Sequence, residues 1–499
     1  VNAKIEELKK ELMTDKDKIL NESHFLTLQP QASMVILDYR TGEVKGIAGG
    51  RGEKNISRGL NRATQSPRQA GSTFKVLAAF APAIDMKIKT AASVQDDVPY
   101  YLTNYGNKEI KNWYSGPDYR GLSTLRDGTR DSMNIVAVKT VMDVGLDNAF
   151  DYLTKFGFTT LVESRLVDGK IFSDKSPSVA LGGLTDGVTV LELTAAYGTI
   201  ANGGVHQSPI FYTKVTDIND KVLLTKESVA TEVLDPGAAW IVTTMLYDVC
   251  HGGTGSSANI GGQYVAGKTG TTTDSKDLTF AGFTGYYAGG IWVGHDQPKV
   301  IRGDQSIHTR AWAQVMAKAH EGLAYKDFPK PSNVTSAYIC TESGKIATHL
   351  CEQDQRGSTV RSEYFLTGTV PTEECDCHVT ANVVKVDDKY YLANPSMMEQ
   401  GTTLVFIKRN SDDKGSYYDP AIKDKIGDAI YEVPTTYYDG SAPTTPIEGG
   451  LTEGDPDDQG SESEPFDDVF KDFRDDDTVS SSDTNTDDDD FEPIDNSVH

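Results

Sequence analysis

Ser72 and Lys75 lie three residues apart in QAGSTFKVLAAF, at the mouth of an apolar stretch with helical spacing. Positions i and i+3 of a helix face the same way, so the hydroxyl would stand beside the amine. A serine hydroxyl is a poor nucleophile until a base removes its proton. A lysine can be that base only if desolvation or a neighbouring cation leaves it neutral near working pH. A helix N-terminus adds free N–H groups suited to an oxyanion. The ordinary alternative is an N-cap serine and a lysine snorkelling to solvent. Spacing alone does not separate the two, because S-D-D-K repeats it at Ser411 and Lys414 in an acidic, turn-like stretch with no helical pattern.

Two further motifs tip the balance. RDSMNIVAVK carries Ser132 and Asn134 in an S-x-N arrangement ahead of an apolar helix, and AGKTGTT carries Lys268, Thr269, Gly270 and Thr271 in a strand. Singly, these read as a helix cap and a solvated edge charge. Together, in the order S-x-x-K, S-x-N, K-T-G, they match the three-part signature of the penicillin-interacting serine enzymes.

The elements that must position these residues can be traced along the chain. ASMVILDYRTGEVKGIAGG reads as a β-hairpin turning around residues 40–42. A helix is expected from about Ser72 to Ile84, and another over TVLELTAAYGTIANGG, ending at Gly203 and Gly204. YVAGKTGTT, LTFAGFTGYY and AGGIWVGHD read as consecutive antiparallel strands, closed by the amphipathic helix TRAWAQVMAKAH. The expected fold is mixed α+β, one domain over 31–325 whose antiparallel sheet is assembled from both ends of the segment. Around it we expect a helical linker over 1–30, a small β-rich region over 326–438 and an acidic disordered tail over 439–499.

Charge and cysteine content narrow the function classes. The chain of 499 residues has a net charge of −25, but residues 451–499 hold 19 acidic and 2 basic side chains, which leaves only −8 on the remainder. No long basic run offers a nucleic-acid footprint. No apolar run of 18 or more residues and no signal peptide is seen, which fits either a cytosolic protein or a soluble piece of an anchored one. Cys250, in AAWIVTTMLYDVC, reads as a buried small hydrophobe. Cys340, Cys351, Cys375 and Cys377 read as disulfides or loosely paired thiols rather than a zinc site with His378, because the C-x-C pair lacks the usual two-to-four-residue gap.

LDYRTGEVKGIAGG, NRATQSPRQAGSTFK, GLSTLRDGTRDSMNIVAVK, ALGGLTDGVTVLELTAAYGTIANGG and KTGTTTDSKDLTFAGFTGYYAGGIWVGHD all resemble the transpeptidase domain of class A, bifunctional penicillin-binding proteins. The resemblance runs over about 25–325 and, more weakly, over SGKIATHLC to PTEECDCH. It implies an antiparallel sheet with helices on both faces and a helical subdomain, with the catalytic cleft between them. It implies peptidoglycan cross-linking outside the bacterial membrane, with stem peptides as substrates, β-lactams as inhibitors, other cell-wall synthesis proteins as partners, and neither cofactor nor metal in the reaction. By resemblance, Ser72 is the nucleophile toward D-Ala-D-Ala, Lys75 its base, Ser132 the proton relay, and Asn134 the residue holding the substrate amide and the lysine. Lys268 supplies positive potential for the substrate carboxylate, Thr269 and Thr271 hydroxyls bond it, and the N–H groups of Ser72 and Thr271 form the oxyanion hole. Class A members carry a membrane anchor and a glycosyltransferase domain ahead of this region, so the anchor is expected in a full-length parent only.

Two alternatives share part of the pattern. A serine β-lactamase would have Ser72, Lys75 and the K-T-G strand, but the E-x-x-L-N motif of one class is absent, and NYGN at 104–107 precedes the S-x-N element where another class has it afterwards. A non-catalytic sensor or scaffold would keep the fold for binding alone. All three motifs being intact argues against it.

Overall fold

The continuous apolar run Met34–Leu37 in QASMVILD and the alternating EVKGIA, separated by the turn Tyr39–Gly42, form the first two strands, β1 (Gln31–Asp38) and β2 (Glu43–Ala48), paired antiparallel with a bulge at Ile36/Leu37. The computed structural model describes residues 2–12, 14, 29–54, 57–409, 416, 418, 420–440, 444 and 447. The Ser411/Lys414 pair and most of the expected tail lie outside these residues. A helix spans Asn2–Leu12 at the start of the expected linker. No helix among the described residues is long and apolar enough to cross a membrane.

The three later strands are β3 (Ala266–Thr271), β4 (Asp277–Phe283) and β5 (Ala288–Gly294). They join the hairpin in a five-stranded antiparallel sheet of order β3-β4-β5-β1-β2, so the sheet is closed by pairing the start of the segment with its end. Every residue of β4 and β5 is buried, because helices cover both faces. On one side lie α2 (Val190–Ala201) and α3 (Pro236–His251), following α1 (Asn134–Val144) in the chain; on the other lies α4 (Ile307–Ala319). Side chains alternate accordingly. Leu278 and Phe280 pack with Trp312 and Met316 of α4, whereas Ala281 and Phe283 join the larger core with α2 and α3. The helix α2 starts at a capping box between Thr189 and Glu192. It comes so close to the sheet that a Cβ on Gly290 would stand 2.2 Å from Thr194 Oγ1.

The expected helix over 72–84 forms in a different way. Gly71–Thr73 is a 3₁₀ turn, Lys75–Phe80 a π-helical turn, and only Ala81–Asp85 is α-helical. Pro82 is the physical reason: it has no N–H to give to a carbonyl four residues back, and its ring crowds that carbonyl, so the ladder upstream widens. Insertions of this kind are frequent where a helix carries a functional site.

The C-terminal region is β-rich. Its hairpin, β6 (Val334–Cys340) with β7 (Val360–Leu366), is followed by a three-stranded sheet in which β8 (His378–Val386) lies between β9 (Lys389–Leu392) and β10 (Thr402–Ile407). The hairpin grips the helix Leu125–Arg130, which leads directly to Ser132. Arg126 donates to Glu363 through Nε (2.7 Å) and Nη2 (2.5 Å), and Arg361 donates to Asp127 (3.0 Å) and Thr124 Oγ1 (2.8 Å). Glu363 is fully buried. Deleting one partner of a buried ion pair leaves an uncompensated charge, at a cost of about 3–5 kcal/mol. Because Asp248 also accepts from Arg126 at 2.8 Å, Glu363→Ala is expected at the lower end, about 3 kcal/mol. Denaturant unfolding reads this directly, and an unchanged midpoint would refute the bracing role.

Candidate active site

The polar residues singled out in the sequence converge where three segments meet. The Lys75 amine, on the π turn, lies 2.5 Å from the Ser132 carbonyl oxygen, 2.6 Å from Asn134 Oδ1 and 3.1 Å from Ser132 Oγ. The orientation of the Asn134 amide is set by its other end, since Nδ2 donates to the Lys111 carbonyl at 2.7 Å. The two short contacts are to atoms that only accept, so they use two N–H bonds. A neutral amine then keeps its lone pair free of these two acceptors. Lys75 is fully buried, and that burial holds its pKa well below the ordinary lysine value; the charge of Lys268 lowers it further.

Ser72 lies in the 3₁₀ turn and caps nothing; the hydroxyl that bonds the turn is Thr73 Oγ1, to the Ala70 carbonyl at 2.8 Å. The Ser72 hydroxyl makes no hydrogen bond among the described residues, and the Lys75 amine is engaged with Ser132 and Asn134 instead. The turn is clamped from behind by α2, where buried Tyr197 donates to the Thr73 carbonyl at 2.8 Å.

The strand β3 runs alongside this turn. Gly71 takes φ +57° and lies so close to the strand that a Cβ would stand 3.0 Å from Thr271 N; a Cβ on Gly270 would stand 2.3 Å from the Ala70 carbonyl oxygen. The glycine of K-T-G is therefore a packing requirement, and it brings the Thr271 N–H next to the serine turn. Thr269 Oγ1 pairs with Thr254 Oγ1 at 3.0 Å. Lys268, also fully buried, has its pKa pulled down to about 7 by desolvation, partly opposed by Cys250 and Asp131.

Several positioning residues carried no signal in their spacing. Asn112 Oδ1 accepts from the Asn134 N–H at 3.0 Å while its Nδ2 donates to Asp97 at 2.8 Å, fixing the start of α1. Trp113 Nε1 donates to the Asp131 carbonyl at 3.1 Å, just before Ser132. Ser132 itself has φ +56°, a left-handed conformation that non-glycine residues adopt sparingly and that concentrates at functional sites. NYGN at 104–107 falls in a 3₁₀ turn and loop and joins none of this.

Half-buried Ser72 and Asn134 and buried Lys75 and Ser132 thus lie beside a five-stranded antiparallel sheet with helices on both faces. The profile of the penicillin binding protein transpeptidase domain matches residues 32–317, and the chain belongs to that family. Residues 330–380 match the C-terminal domain of penicillin-binding protein 1A. Penicillin-binding protein 1A of Clostridium botulinum (strain Langeland) is 38% identical over 422 residues, covering 81% of this chain and 49% of that protein. Its counterpart in Clostridium tetani is 37% identical over 368 residues, covering 70% and 45%. The chain thus spans about half the length of these relatives. Among solved structures, penicillin-binding protein 1A of Haemophilus influenzae aligns with TM-score 0.58 at 26% identity, covering 69% of this chain and 55% of that one. PonA1 of Mycobacterium tuberculosis in complex with penicillin V aligns at 0.52 and 23%, covering 66% and 86%, a likeness of fold.

Proposed function

We propose that this chain is a peptidoglycan D,D-transpeptidase acting on the outer side of a bacterial membrane, with residues 31–325 as its catalytic domain. The observation that carries the reading is the buried Lys75 amine held between Ser132 and Asn134, in a site whose desolvation favours a neutral base. In the reaction, Lys75 takes the Ser72 proton as Oγ attacks the penultimate D-Ala carbonyl. The N–H groups of Ser72 and Thr271 hold the oxyanion, and Ser132 passes the proton to the departing D-Ala amine. An acceptor amine of a second stem peptide then releases Ser72 from the ester. A β-lactam follows the first half and stays on the serine. The chemistry is tested by supplying a pentapeptide ending in D-Ala-D-Ala together with an amine acceptor: released D-Ala and a coupled product are expected. Rapid turnover of penicillin without a lasting adduct would favour the β-lactamase reading instead.

The two buried lysines predict a pH profile. Acylation needs Lys75 neutral, so its rate rises with pH through the depressed Lys75 pKa. Binding of a penicillin carboxylate needs Lys268 charged, so loss of that charge lowers the rate with a midpoint near 7. In Lys268→Arg the guanidinium stays charged, and the alkaline limb is expected to disappear. An unchanged limb in a folded variant would reassign it.

A further inference from the structure

All five cysteines are free thiols, and four of them gather around one histidine. Of the two expected arrangements, disulfides or loosely paired thiols, the described structure has unbonded thiols. Cys375 Sγ and Cys377 Sγ are 3.5 Å apart, whereas a disulfide needs about 2.05 Å. We infer that Cys340, Cys351, Cys375 and His378 form a closed structural zinc site that ties the hairpin β6–β7 to the sheet β9-β8-β10.

The donor atoms carry the geometry. The three Sγ atoms and the imidazole nitrogen lie within 4.8 Å of one another. His378 Nδ1 is 3.5 Å from Cys340 Sγ and 3.4 Å from Cys375 Sγ. Tetrahedral zinc, with bonds of about 2.3 Å to sulfur and about 2.05 Å to nitrogen, requires an edge of about 3.6 Å between such donors. Three soft thiolates and one imidazole in a tetrahedron select zinc among the common metals. The sequence objection to a metal dissolves too, because the late ligands are Cys375 and His378, separated by the ordinary two residues, and not the C-x-C pair. Cys377 Sγ approaches Cys375 and the His378 ring, at 3.5 and 3.6 Å, but is not one of the four mutually close donors.

The outer contacts complete the site. His378 Nε2 lies 2.9 Å from Asp354 Oδ2, which fixes the proton on Nε2 and leaves Nδ1 free to ligate, the carboxylate–histidine arrangement typical of zinc. Asp354 is held in turn by Arg356 Nε and Nη2 at 2.8 and 2.7 Å. The Glu342 N–H donates to Cys340 Sγ at 3.4 Å and the Thr348 N–H to Cys351 Sγ at 3.3 Å, bonds that suit thiolates. Cys340 ends β6, Cys351 lies on the short helix His349–Glu352, and Cys375 and His378 flank the start of β8, so one ion joins three segments that have little apolar core of their own.

The full chain, purified with reductant and without chelator, is expected to hold one zinc by elemental analysis. Zinc-edge absorption should show three sulfurs near 2.3 Å and one nitrogen near 2.0–2.1 Å. Cys351→Ser and His378→Ala should lose the metal, Cys377→Ser should keep it, and Asp354→Asn should weaken it about 10–100-fold in chelator competition. Ligand variants can fail to fold, so the unaltered chain supplies an independent arm: stripping zinc under reductant lowers Tm, zinc restores it, and cobalt in its place gives the visible absorption of a tetrahedral thiolate complex. Absence of stoichiometric metal, iron in place of zinc, or two disulfides leaving a single titratable thiol in the denatured, unreduced chain would overturn the site. Loss of zinc in Cys377→Ser with retention in His378→Ala would overturn the donor assignment.

Discussion

Ser72→Ala is expected to leave a folded chain that penicillin no longer acylates. Removing a serine nucleophile from a comparable acyl-transfer site costs on the order of 10⁶-fold. The remaining oxyanion donors still bind ligand but have no oxygen to transfer the acyl group to. Stability should hardly change. The Ser72 hydroxyl caps no helix end and bonds to nothing among the described residues, and the turn is kept by Thr73, Tyr197 and the Gly71–Thr271 approach. The pairing of outcomes is what discriminates: a cap serine would lose about 1 kcal/mol of stability and no activity, whereas a nucleophile loses activity and little stability. Stopped-flow acylation with a chromogenic β-lactam and thermal unfolding of the same sample read both. Unimpaired acylation would remove Ser72 from the mechanism.

The second large effect is at Lys75. Lys75→Arg retains a cation but removes the base, because a guanidinium is not deprotonated in proteins. Loss of general-base assistance alone is about 10²–10⁴-fold. Arginine is also bulkier than the buried space it enters, so Lys75→Met, close in volume and neutral, is the control for packing. Both variants should lose acylation, and Met should do so without destabilising the fold through charge. If Arg were to acylate normally, the amine's role would be electrostatic and the neutral-lysine account would fail. The protonation claim has its own sign. A lysine whose folded pKa lies below its unfolded value destabilises the fold below the unfolded pKa, the penalty growing until pH reaches the folded pKa and staying constant beneath it. Lys75→Met removes that charge penalty, but it leaves the Ser132 carbonyl and Asn134 Oδ1 without their donor.

Much of the fold was legible because it rests on patterns a single chain displays. The hairpin 31–48 shows an apolar run, a turn and an alternating run, and the strands at 266–294 show short β-rich runs between turn residues. The helix Val190–Ala201 shows its apolar residues and ends just ahead of the expected stop at Gly203 and Gly204. The three motifs were legible as a set because their order is informative where each alone is not. What the residues did not display is how the chain bends between elements. The π turn at Lys75–Phe80 follows from Pro82 breaking a ladder, and the left-handed Ser132 from the junction of two helices. The result is that Lys75 reaches Ser132 and Asn134 instead of leaning on Ser72. Asn112 was silent because it works through a loop-to-helix contact across 22 residues. The thiol cluster was not legible for a related reason: Cys340, Cys351, Cys375 and His378 come together only where β6, the intervening loop and β8 converge.

The claim on which the account depends most is that a neutral-lysine site delivers the Ser72 oxygen to a carbonyl. Its most direct measurement is fragment-ion mapping of the whole chain after brief exposure to benzylpenicillin, with the intact mass followed over time. The account predicts one adduct of the full antibiotic mass, on the fragment that contains Ser72, persisting long after free antibiotic is removed. An adduct on any other residue, or none on a folded chain at saturating antibiotic, would contradict it.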